Sequence, residues 1–126
     1  MQEFLKGGFI YGFGWESEQF TIEIANNTLV TTYKIWVDNF FDCEIKSKFE
    51  DKGLSDDEIG LLTLNQLKYL TITGVELNDK EDLLFIFDNN IKLKIYGSSS
   101  EKSCVEPYRI YQQTPESKPI LIVSNK

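Results

Sequence analysis

LKYLTITGVELNDKEDLLFIFDNNIKLKIY, residues 67–96, reads as three β-strands in succession. Leu83, Phe85 and Phe87 alternate with other residues, and so do Ile91, Leu93 and Ile95 on the return. A period of two marks strands with one buried face. Only a three-residue loop, Asp88-Asn89-Asn90, brings both apolar rows to one face. Such a loop is a type I turn followed by a left-handed residue, here Asn90.

A weaker copy of this stretch opens the chain as LKGGFIYGFGWESEQFTIEIANNTLVTTY, residues 5–33. Leu5-Lys6, Ile10 and Gly12 recur at one constant offset as Leu67-Lys68, Ile72 and Gly74. Asn26-Asn27 and Tyr33 recur as Asn89-Asn90 and Tyr96 at an offset one position longer. One residue has therefore entered between the first two strands of the later copy. In the first copy Phe20, Ile22 and Ile24 form the apolar row. A two-residue turn at Asn26-Asn27 would set Leu29, Thr31, Tyr33, Ile35 and Val37 on their face. A three-residue turn would set Thr28, Val30, Thr32 and Trp36 there, and equivalence to the later copy favours it.

Between the copies, FDCEIKSKF (41–49) alternates as a strand does, although Phe41, Ile45 and Phe49 also suit a helix. Ser55-Asp56-Asp57-Glu58 then carries a capping-box pattern. It predicts a short helix over 56–64 with Ile59 and Leu62 inward, weakened by Gly60. Cys104 follows Cys43 at nearly the same offset, which extends the repeat to a fourth strand, YRIYQQ, entered through Pro107. Residues 97–103 and 112–117 read as a loop and a turn. Pro119–Val123 reads as a closing strand, apolar on both faces and so covered on both. The fold expected is mainly β, or α+β with one short helix. Two antiparallel meanders, about 1–52 and 64–126, would pack as a sandwich or a pseudo-twofold sheet within one domain.

Composition narrows the function. A 126-residue chain with 41% hydrophobic and 13% aromatic residues can bury a core without staples. Two cysteines this far apart form neither a metal nor a redox motif and are expected to be reduced and buried. Glu3 stands where a signal peptide needs positive charge, and no apolar run reaches the roughly 20 residues of a membrane span. A cytoplasmic location is expected, with no membrane partner.

Net charge is −7, and residues 38–58 alone contribute −5. Nucleic acid would demand a basic stripe, so it is not an expected partner. The chain has no histidine, which removes the histidine triads and the commonest metal ligand and general base. No phosphate-binding glycine motif is complete. The carboxylates at 56–58 are explained by helix capping, and Glu76, Asp79, Glu81 and Asp82 lack calcium-loop spacing. Neither catalytic residues nor a cofactor or metal site are therefore expected, and the chain reads as a non-enzyme. Arg109 is the only arginine.

The sequence Ile72-x-Gly74, the hairpin Phe87-Asp88-Asn89-Asn90, Tyr108-Arg109-Ile110-Tyr111 and the closing Ile120 to Asn125 resembles small bacterial proteins encoded beside secreted polymorphic toxins. The likeness, over the C-terminal half, is to immunity proteins of contact-dependent inhibition and related systems. It implies a chain that binds a cognate toxin domain and blocks it, with no activity of its own. Nuclease toxins are commonly basic, and a concentrated acidic segment speeds association with such a partner. On charge, the candidate partner-binding residues are Asp38, Asp42, Glu44, Asp56, Asp57 and Glu58, with Trp36 as an aromatic anchor. The alternative is a small-molecule-binding or sequestering module of phage or defence origin, with a pocket between the two copies.

Overall fold

The structure is a computed structural model describing residues 3–26, 31–38, 41–97, 107–114 and 118–125. It is mainly β. Among these described residues nine strands run in chain order: β1 (Gly8–Glu16), β2 (Gln19–Asn26), β3 (Thr32–Val37), β4 (Phe41–Cys43), β5 (Ile72–Leu77), β6 (Leu83–Phe87), β7 (Lys92–Ile95), β8 (Tyr108–Gln113) and β9 (Ile120–Asn125). One α-helix, α1 (Asp56–Leu67), precedes β5, and 3-10 turns occupy Glu3–Leu5 and Glu44–Lys48. All strand pairs are antiparallel and form two sheets, β1-β2-β3-β8-β9 and β4-β7-β6-β5.

The two meanders, β1–β3 and β5–β7, lie in different sheets, and each is extended by the strand that follows the other. β4 leaves β3 but pairs with β7, while β8 leaves β7 but pairs with β3. Both meanders carry a register shift at the same place, Ile10/Gly12 in β1 and Ile72/Gly74 in β5. The sheets touch where Phe9 bridges Thr71. Across that seam Gly7 N–H donates to Ile72 O at 2.8 Å, and Tyr69 N–H donates to Ile10 O at 2.9 Å. Gly7 (φ 88°) and Tyr69 (φ 72°) both take the left-handed conformation there. Glycine adopts it at little cost; a tyrosine does so only because the surrounding structure imposes it.

One apolar cluster joins the inner faces of both sheets and α1. Phe20 from β2 meets Phe41 from β4 edge-on, ring centroids 5.0 Å apart. Such a pair adds about 0.5–1.5 kcal/mol beyond its buried area. Phe20 also explains Gly60. A Cβ there would lie 2.4 Å from Phe20 Cζ, so the helix has a bare face where the ring sits. The helix interior loses propensity at Gly60 and gains a packed aromatic.

The later hairpin has the expected loop. Phe87 and Ile91 close it, and Asn90 is left-handed at φ 68°. The capping box is also present: Ser55 N–H donates to Glu58 Oε1 at 2.8 Å and Glu58 N–H to Ser55 Oγ at 3.2 Å.

Four expectations need correction. In the first meander Phe20 faces Val37, Ile22 faces Ile35 and Ile24 faces Tyr33, so the row on their face is the odd-numbered one. Trp36 points the other way; the Asn27 loop itself lies outside the described residues. The helix runs on to Leu67, and its buried residues are Gly60, Thr63, Leu64 and Leu67, while Leu62 is exposed. Residues 41–49 are a three-residue strand followed by a 3-10 turn, which keeps Phe41, Cys43 and Ile45 all buried. Finally, β9 is an edge strand with Ile120 and Leu121 exposed, so it is not covered on both faces. Cys104 lies outside the described residues. Cys43 is buried, and that burial pushes its thiol pKa up.

Candidate functional site

The first sheet divides the candidate residues between its two faces. Side chains of the inner row, Trp15, Phe20 and Val37, open at one end into a hollow of about 520 Å³. The 3-10 turn after β4 and the first turn of α1 complete it. Its lining includes Glu18, Asp42, Glu50, Asp56 and Asp57, five carboxylates, against one ammonium, Lys46. The floor is apolar, with Trp15 packed edge-on against Phe20 at 4.8 Å and Ile59 at its side.

Lys46 is the internal cation of this site. Its Nζ donates to Phe41 O and lies 4.5 Å from the centre of the Phe41 ring. Partial burial pushes its pKa down, while Asp42, Asp56 and Glu50 pull it up; the net direction is downward. Among the described residues the one ion pair within 4 Å is Lys34–Glu16, at 3.2 Å, so these carboxylates are not tied to Lys46 directly. Asp56 and Asp57 are favoured in the first turn of α1 by the helix dipole, which is how the sequence sustains acid at this spot.

Of the candidate residues, Asp42, Asp56 and Asp57 are thus brought together. Glu58 is engaged in the capping box and does not line the hollow. Glu44 is exposed on the 3-10 turn, outside the lining. Asp38 is half-buried after β3, its N–H bonded to Pro107 O at 2.9 Å. Trp36 stands on the opposite face of the sheet. Sequence reasoning missed Glu18, Glu50, Trp15 and Phe20. The only signal for them was local: Trp15 and Phe20 share the inner row of a tight hairpin.

The outer face of the same sheet carries a second hollow of about 470 Å³, lined by Gln19, Lys34, Trp36, Arg109, Tyr111 and Gln113, with Ser17 and Pro119 at its ends. Among the described residues that line it, the charged ones are both cations. The Ser17-Glu18 turn joins the two hollows, and both residues are left-handed, at φ 51° and 64°. That is the two-residue hairpin conformation normally given to Asn-Gly. Neither hollow is lined by β5–β7.

Among the described residues no group of three or more histidines, cysteines or acids is placed to hold a metal ion. No helix there is long and apolar enough to cross a membrane. No protein-family model, no curated protein and no solved structure matches the chain.

Proposed function

We propose that the chain is a cytoplasmic, non-enzymatic inhibitor of the immunity type, which takes a basic segment of a cognate toxin domain into its acidic hollow. The observation that supports this reading best is the arrangement of five carboxylates around the Trp15–Phe20 floor. Acidic rims raise the encounter rate with a cationic partner, and a semi-exposed tryptophan supplies the apolar anchor that interfaces favour. A partner lysine or arginine entering the hollow would find carboxylates that Lys46 does not already hold in ion pairs. The same reading takes the two meanders as copies of one duplicated unit, in keeping with the matching bulges at Ile10/Gly12 and Ile72/Gly74.

The test is to identify the gene's neighbours and, with a toxin domain encoded there, to measure association kinetics and rescue of growth on co-expression. Reversing Asp42, Asp56 and Asp57 to lysine should slow association at low salt about tenfold or more, the scale of electrostatic steering. Dissociation should change less. Equal rates for variant and wild type at low salt would remove the acidic hollow from the mechanism.

A further inference from the structure

The outer hollow of the first sheet is unlike the rest of this acidic chain. Twenty acids outnumber thirteen bases overall, yet among the described residues the hollow's lining holds Lys34 and Arg109 and no carboxylate. The chain's one arginine is anchored there. Its Nη2 donates to Gln19 Oε1 at 3.2 Å and its Nη1 to the Tyr111 hydroxyl at 3.3 Å. Its guanidinium carbon lies 5.8 Å from the ring centres of both Trp36 and Tyr111. Lys34 Nζ sits 4.7 Å from the Trp36 ring. Cross-strand pairing explains the assembly, because Trp36 faces Arg109 and Lys34 faces Tyr111 in adjacent strands.

We propose that this hollow binds a small ligand in which a phosphate is joined to a flat heterocyclic ring, a mononucleotide in chemical class. A planar guanidinium between two rings makes a continuous stacking surface for a flat ring. Arginine and lysine together recognise the oxyanion, the first through its fork of donors and the second as a point charge. The Gln19 and Gln113 amides offer donors and acceptors to the ring's polar edge. The volume falls in the range of small-molecule sites. A nucleic-acid strand is disfavoured because Glu16 and Glu23 stand on the same outer face as Lys34, and their charge would repel a continuous phosphate backbone. Glu16 also holds Lys34 at 3.2 Å, so it competes with the ligand's oxyanion.

This site is independent of the acidic hollow, and its test is separate. Trp15→Phe leaves Trp36 as the sole tryptophan and a direct reporter. Titration of that variant at low salt with the four ribonucleoside monophosphates should give saturable quenching by at least one, with a dissociation constant below about 1 mM. Calorimetry on the full chain should show that nucleotide weakened about tenfold by Arg109→Gln, or about 1.4 kcal/mol. Lys34→Gln should weaken it by a smaller factor, and Glu16→Gln should tighten it. The parent nucleoside and inorganic phosphate should each bind less well than the nucleotide. Absence of saturation by all four nucleotides overturns the proposal, as does inorganic phosphate binding as tightly as the nucleotide. If Arg109→Gln does not fold, as judged by circular dichroism, unchanged binding in Lys34→Gln and Glu16→Gln together overturns it.

Discussion

The first turns of the two meanders solve one problem differently. The β1–β2 turn has two residues, Ser17 and Glu18, and both must be left-handed. The β5–β6 turn is longer. Asn78 pairs with Asp82 across it, and only Glu81 is left-handed, at φ 64°. The added length converts a turn needing two unfavourable conformations into one needing a single one. The longer turn is also tied down. Asn78 Oδ1 accepts from the N–H groups of Lys80 and Asp82, both at 2.9 Å. Asp82 accepts from Gly97 N–H at 2.8 Å and from Asn78 Nδ2 at 3.0 Å. The strained turn borders both hollows, whereas the tied turn borders neither. Local strain is kept where two candidate binding faces meet, and the hydrogen-bonded turn lies away from both.

Breaking the tied turn should have the largest effect. Asp82 is only 4% exposed, and Asp82→Ala leaves a buried N–H of Gly97 without its carboxylate. A loss of about 3 kcal/mol is expected in urea unfolding. Burial by itself would raise the Asp82 pKa, but the Gly97 and Asn78 hydrogen bonds, aided by Lys94 and Lys80, hold it below its ordinary 3.8. A depressed folded-state pKa stabilises above the unfolded value, and that contribution is lost as pH falls below it towards the folded value. The wild type's advantage over Asp82→Ala should therefore shrink on acidification below about pH 4. A pH-independent gap would show that the charge of Asp82 does not matter.

A smaller effect is expected where the helix meets the first meander. Gly60→Ala gains about 1 kcal/mol of helix propensity. The new methyl would collide with Phe20, which Trp15 and Phe41 hold in place. Overpacking of this kind costs about 1–3 kcal/mol, so the net change should be a loss of about 1 kcal/mol. A gain in thermal stability would mean that Phe20 relaxes freely and that the aromatic floor of the acidic hollow is not fixed.

The smallest effect, and the only stabilising one, concerns the strained turn. Replacing Ser17-Glu18 by Asn-Gly should add about 1 kcal/mol or less, because the left-handed positions pass to residues that tolerate them. The measurement is again the urea midpoint. No gain would mean that the turn is not strained, and the contrast between the two meanders would fail.

Part of this molecule was legible in advance because it is set by neighbours in sequence. The 83–95 hairpin needs only the alternation of its apolar residues and an Asn that tolerates left-handed geometry. The α1 start needs only Ser55 and Glu58 three apart. The first hairpin misled because its sequence matches to the later meander at Asn26-Asn27 and Tyr33 do not fix its register. Tyr33 pairs with Ile24, whereas Ile91 closes directly on Phe87, so the connection in the first meander is the longer one. The longer connection changes the parity, and one step of parity turns Trp36 from the inner face to the outer.

What the amino-acid order determined by itself was therefore the 83–95 hairpin, the helix start, the tightness of the later loop and the concentration of acid in 38–58. What only the tertiary structure decided was which residues share a surface. β4 and β8 each join the sheet of the other meander, and that exchange puts Arg109 beside Trp36. The packing of α1 against Phe20 gathers Asp42, Asp56 and Asp57 with Glu18 and Glu50. Periodicity is a property of adjacent residues and survives in a one-dimensional reading. Pairing between strands as distant in the chain as β3 and β8 is selected by the burial of a common core, and no local pattern records it.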